Sequence, residues 1–176
     1  MTLADQIAEW LHEKKIAHAF GIIGAGNLAI FDAVARLAKT RLIACHHEQA
    51  AVMAAGFYWR TSGRLACAIV TTGAGSSNAL TGVLAAFMDS TPLIVISGNE
   101  PSGAMTGKTR VLGVQGYDSR AVAAPFTKQA YRVRLEKTQA SENLKYLMDV
   151  AVHNALTPRF GPVWLDVSRD IQTTEV

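Results

Sequence analysis

The chain has 176 residues, 49% of them hydrophobic and 18% charged, enough apolar material to bury a core and too little charge for a disordered segment. Its formal net charge is +3 and its pI near 9.0, but Lys14-Lys15 is the sole adjacent basic pair, and without a basic stripe or arm this charge does not point to nucleic acid. No apolar run approaches the ~20 residues that span a bilayer and no basic-then-apolar leader opens the sequence, so a cytoplasmic protein touching neither membrane nor nucleic acid is expected.

Helix-like and strand-like segments then alternate along the chain. Thr2 and Asp5 make a capping-box start, and Leu3, Ile7, Trp10 and Leu11 mark one face of a first helix. Residues 17–20 read as a short strand running into Gly21, Gly24 and Gly26. Ile30, Phe31, Val34 and Leu37 point inward from a second helix. Residues 41–45 read as a buried strand, 49–60 as helix, 65–70 as strand, 76–88 as helix and 92–97 as a buried strand. Leu144, Leu147, Met148, Ala151, Val152 and Ala155 keep helical spacing, and 163–167 form the last strand. Cys45 and Cys67 sit inside apolar runs and are expected as buried free thiols of a reducing compartment.

This order predicts a single α/β domain over residues 1–176: a doubly wound, mainly parallel sheet with helices on both faces. Residues 99–124 depart from it, being rich in Gly and polar types without a period, and so long a loop in a compact domain is usually functional. Ligands of open α/β sheets bind beyond the carboxyl ends of the strands, which singles out residues 21–26, 46–48, 71–78 and the stretch from Gly98 on.

Two glycine patterns in these loops are weak. Gly73-Ala74-Gly75-Ser76-Ser77-Asn78 approximates a dinucleotide fingerprint, with Glu100 ending the next strand, but Asn78 stands where a third Gly or Ala is needed. Gly103 to Lys108 and Thr109 is one residue short of a phosphate loop and lacks the apolar helix that should follow. Glu48 carries more, since it follows a strand and opens a helix with small residues along much of its surface (Ala50, Ala51, Ala54, Ala55, Gly56). Spacing alone leaves it open whether Glu48 serves chemistry or merely favours the helix dipole.

Five ordered motifs bear on that choice: His47-Glu48-Gln49-Ala50-Ala51, Gly56-Phe57-Tyr58, Thr72-Gly73-Ala74-Gly75-Ser76-Ser77-Asn78, Met88-Asp89-Ser90-Thr91-Pro92-Leu93 and Gly161-Pro162-Val163-Trp164-Leu165-Asp166-Val167. Together with Gly21-Ile22-Ile23-Gly24, Gln115 and Lys128, they resemble the N-terminal, pyrimidine-binding domain of the acetolactate-synthase family of thiamine-diphosphate enzymes. The resemblance implies that Glu48 hydrogen-bonds N1′ of the cofactor's aminopyrimidine and so promotes loss of the thiazolium C2 proton, the ring then accepting electrons as a 2-oxo acid loses carbon dioxide. It implies cofactor contacts at Gly24, Ala25, Thr72, Gly73 and Asn78, substrate contacts at Gln115 and Arg169, and no metal ligand in this chain. Asn78 is also read as a cap or brace for its helix, Arg169 as a surface ion pair, and His47 as a loop residue supporting the site.

The sequence also departs from the family pattern. It has no Gly-Asp-Gly motif, which holds the diphosphate and its magnesium in the family's C-terminal domain, and no central domain. Ala74 replaces a proline, and Ile22-Ile23 an aromatic-proline pair. The expectation is therefore an α-type subunit of a split enzyme, completed by a separate diphosphate-binding subunit that carries the Gly-Asp-Gly…Asn motif and the magnesium. At least two copies of this chain are expected in the complex. Carboligation after decarboxylation is the leading activity; simple 2-oxo-acid decarboxylation and a non-catalytic module or fragment are the alternatives.

Overall fold

A computed structural model describes residues 1–104, 112–134 and 140–176, the side chains of Ala140 and Ser141 excepted. Helix α1 (Leu3–Glu13) starts at the expected capping box: the Asp5 amide donates to Thr2 Oγ1 and the Thr2 amide to the Asp5 carboxylate. Strand β1 (His18–Gly21), α2 (Leu28–Leu37), β2 (Arg41–Ala44), α3 (Glu48–Ser62), β3 (Cys67–Val70), α4 (Ala74–Met88) and β4 (Leu93–Asn99) follow in strict alternation. After two short 3₁₀ turns, α5 (Ser119–Ala123) and a third 3₁₀ turn (Ala124–Phe126) come β5 (Gln129–Arg132), α6 (Ala140–Leu156), β6 (Pro162–Ser168) and the single-turn α7 (Arg169–Gln172).

The six strands form one sheet in the order β2-β1-β3-β4-β6-β5, every neighbouring pair parallel. Strand alternation divides the core. Cys67, Ile69, Ile94, Ile96, Val163 and Leu165 face α1, α2, α6 and α7, whereas Ala66, Ala68, Val70, Leu93, Val95 and Trp164 face α3, α4 and α5. Sheet and layers are thus the predicted α/β architecture. No helix among the described residues is long and apolar enough to cross a membrane.

Three local expectations change. Strand β2 is not buried but lies at the sheet edge, with Arg41 and Ala44 exposed, and Cys45 beyond it is half-buried while Cys67 is fully buried. The stretch after β4 is not one structureless loop, since it contains the 3₁₀ turns and α5. Strand β5, at the opposite edge, was not expected at all, because its four residues include polar Gln129 and Arg132 and carry no apolar period. Met105 to Thr109 of the phosphate-loop-like segment lie outside the described residues.

Connection order places the site. From β1 the chain moves outward to β2, then α3 crosses back over β1 to reach β3 on the other side. The ends of β1 and β3 therefore flank a topological switch point, where open α/β sheets leave a crevice. The N-termini of α3 and α4 open at that same edge.

Candidate active site

The loop after β1 is folded by Asn27, which is fully buried: its Oδ1 accepts from the Gly24 amide at 2.8 Å and its Nδ2 donates to the Ile22 carbonyl at 2.9 Å. The loop after β3 meets it through Thr71, whose Oγ1 accepts from the Gly26 amide at 3.0 Å. Close approach explains the glycines here. A Cβ on Gly24 would lie 2.6 Å from the Thr71 side chain, and one on Gly75 would lie 2.6 Å from the Thr71 methyl carbon and 3.2 Å from Glu48 Oε1. Thr71 thus joins Gly24 to the Glu48 neighbourhood, a role with no signal in its sequence context.

Glu48 is the first residue of α3 and is 9% exposed. His47 caps that helix, its Nδ1 accepting from the Gln49 amide at 3.2 Å, so the histidine shapes the helix start on which Glu48 sits. Glu48 Oε2 accepts from Asn78 Nδ2 at 3.0 Å. No described residue donates to Oε1. Asn78 lies beyond the first turn of α4 and does not cap it; its amide is spent on the glutamate.

Gly73 adopts φ +67, a left-handed conformation that suits glycine, and a Cβ there would press within 2.9 Å of Gln115 Cγ. The Gln115 segment docks over this turn. Thr72 Oγ1 donates to the Gln115 carbonyl at 2.9 Å, with Asn99 Oδ1 3.1 Å from the same hydroxyl. Ser76 donates to the Gly73 carbonyl, leaving Tyr117 to donate to Ser76 Oγ at 2.7 Å. Burial pushes the Tyr117 phenol up from its ordinary value, with the Ser76 contact opposing the shift and the Asp166 charge adding to it.

Beneath Thr72 lies a buried polar network that sequence reading missed. Asp166, fully buried at the end of β6, accepts from Asn99 Nδ2 at 2.8 Å, Ser119 Oγ at 3.1 Å and Arg132 Nε at 3.0 Å. Arg132 also reaches Asp118 at 2.6 Å. Burial raises the Asp166 carboxyl, against the donations from Asn99, Arg132 and Ser119. An Asp in an apolar strand was the available signal; its partners come from three other segments, β4, α5 and β5.

Arg169 is not brought to this cluster. It sits on α7, in the layer opposite α3 and α4, 3.8 Å from the buried carboxylate of Glu100. With Ala25, Leu28, Ala29, Pro101 and Thr173 it lines a cavity of about 660 Å³. Ala25 therefore faces that cavity, while Gly24 faces Thr71. Lys128 donates to the Thr157 carbonyl and serves the β5–β6 edge.

Residues 1–119 match the family described as "Thiamine pyrophosphate enzyme, N-terminal TPP binding domain". The chain belongs to that family. Among its relatives, the acetolactate synthase isozyme 1 large subunit of Escherichia coli (strain K12) is 34% identical over 172 residues, covering 98% of this chain and 29% of the relative. The acetolactate synthase large subunits of Haemophilus influenzae and Corynebacterium glutamicum are 32% and 33% identical, over 95% and 100% of this chain. This chain spans less than a third of these relatives' length, 28% and 27% of the last two. It is thus similar, over nearly all its length, to one segment of acetolactate synthase large subunits, and the α/β sheet is that of a thiamine-diphosphate-binding domain.

Proposed function

We propose that this family member is the pyrimidine-binding half of a thiamine-diphosphate enzyme acting on 2-oxo acids, with Glu48 as its catalytic residue. The observation that carries the reading is the state of the Glu48 carboxylate. It is buried at a helix start beside the switch-point crevice, one oxygen is held by Asn78, and the other has no donor among the described residues. A buried acceptor of this kind fits a ring nitrogen able to share a proton. Glu48 would hold that proton at N1′ of the aminopyrimidine, while the Gly24 loop and the Thr72-Gly73 turn let backbone approach the ring. Thiamine diphosphate, when bound, supplies the electron sink through which a 2-oxo acid loses carbon dioxide. Gln115, laid over the Gly73 turn, would contact the substrate, whereas Arg169 and Ala25 lie apart from it, on the cavity of the other helix layer.

The acetolactate synthase relatives favour carboligation after decarboxylation over decarboxylation alone. The diphosphate and its magnesium fall to a partner subunit with a Gly-Asp-Gly…Asn motif: residues 21–26 contain no acid and residues 71–78 no carboxylate, and a magnesium diphosphate site needs such ligands. Glu48→Gln in the assembled enzyme is the direct test. It should keep the fold and lower turnover of a 2-oxo acid by at least about 100-fold; turnover near wild type, still dependent on the cofactor, would remove Glu48 from the chemistry.

A further inference from the structure

The two oxygens of Glu48 are held differently. Oε2 lies 3.0 Å from Asn78 Nδ2, whereas Oε1 lies over Gly75. An ionised carboxylate only accepts hydrogen bonds, so the Asn78 amide must be turned with its nitrogen toward the glutamate. The start of α3 fixes where the Glu48 side chain leaves the backbone, but several rotatable bonds separate that point from the carboxylate. Among the described residues, the hydrogen bond that restrains those bonds comes from α4. Helix α4 is itself registered against α3, since Gly82 packs so closely on Val52 that a Cβ there would come within 2.8 Å of the Val52 side chain. Asn78 therefore stands on a rigid neighbour and reaches across to the glutamate, while its own helix start needs nothing from it.

We propose that Asn78 is a positioning residue: its amide fixes one oxygen of Glu48 and thereby presents the other to the cofactor's aminopyrimidine. The proposal rests on the Glu48 reading above and replaces a direct cofactor contact for Asn78. Small misplacements of a reacting group are costly in rate, so freeing the carboxylate should be felt in turnover rather than in substrate binding.

The test uses the assembled enzyme with Asn78→Ala, Asn78→Asp, Asn78→Gln and Glu48→Gln. Asn78→Ala should lower kcat about 10- to 100-fold, as expected for loss of a hydrogen bond to a charged group, with KM for the 2-oxo acid changed by less than about threefold. Asn78→Asp sets a second negative charge against Glu48 and should be worse; Asn78→Gln keeps a donor and should recover part of the loss. A crystal structure of the Asn78→Ala enzyme supplies the readout independent of activity: the Glu48 carboxylate should spread over more than one rotamer while α4 stays in place. Asn78 is exposed in this chain, and Asn78→Ser, too short to reach the carboxylate, provides a second substitution compatible with folding. A kcat within about twofold of wild type in Asn78→Ala, or a Glu48 side chain unmoved in its structure, overturns the positioning role. If Glu48→Gln abolishes turnover in the same series, the Glu48 reading survives that failure; if Glu48→Gln is fully active, both fall.

Discussion

His47, Glu48 and Asn78 show how neighbouring positions divide one task. His47 completes the helix start, Glu48 offers the acid, and Asn78 reaches from the next helix to hold it. None of these contacts is strong alone, but each constrains the same carboxylate. The two cysteines make a contrasting pair at this scale. Burial alone pushes the Cys67 thiol up to about 12, and Cys45 is raised less, by burial against a hydrogen bond with Gly21. A thiolate is the reactive form, so a disulfide-exchange reagent at pH 8 should titrate Cys45 slowly and leave Cys67 untouched until denaturant is added. Two thiols reacting without denaturant would mean that β3 opens in the native protein.

Helix α1 carries a pH dependence that follows from its cap. The Asp5 carboxyl is held below its ordinary value first by the Thr2 backbone amide, with burial opposing and the Arg36 guanidinium assisting. A carboxyl depressed by folding contributes stability above its unfolded pKa of about 3.9, and that contribution disappears as pH falls through the lower folded value. The helix start is joined to the C-terminus by the Leu3 amide, which donates to the Thr174 carbonyl at 3.0 Å, so loosening it frees both ends. Asp5→Asn should lower Tm by about 2–4 °C at pH 7, and the difference from wild type should narrow as melts are taken from pH 4 downward. A difference that stays constant with pH would remove Asp5 ionisation from the account.

The α3–α4 pair belongs to both the element and the assembly. Part of its small-residue surface is used within the chain, at Gly82 against Val52. Beyond that contact the pair leaves Phe57 60% and Met88 65% exposed, and Phe57 lines a cavity of about 190 Å³ with Met53 and Ala85. An apolar face of this kind beside the proposed site suits a second copy of the chain. Light scattering of the complete enzyme should give at least two copies, and Phe57→Glu should lower that number. A single copy per complex would contradict this assignment of the face.

For the whole molecule the main question is where the cofactor's charge is held. Calorimetry on the chain without a partner should show weak binding of thiamine diphosphate, with tight, magnesium-dependent binding once a Gly-Asp-Gly…Asn polypeptide is added. Tight binding or pyruvate turnover by the chain alone would end the split-enzyme reading.

Local signals in the sequence determined most elements: the Thr2–Asp5 box, the apolar spacing of α1, α2 and α6, and the short β-branched runs of β3, β4 and β6 each depend on residues a turn or a pleat apart. They also determined that Glu48 opens a helix, and the ordered motifs determined the family. The tertiary structure alone decided that β2 and β5 are edges, that Arg169 lies in the layer opposite Glu48, that Thr71 joins two loops, and that Asn78 holds a glutamate rather than a cap. These depend on crossovers that bring distant segments together: residues 48 and 78 are on different helices, and Asp166 collects donors from β4, α5 and β5. Periodicity reports which face of an element turns inward; it carries no information about which other element it will meet there.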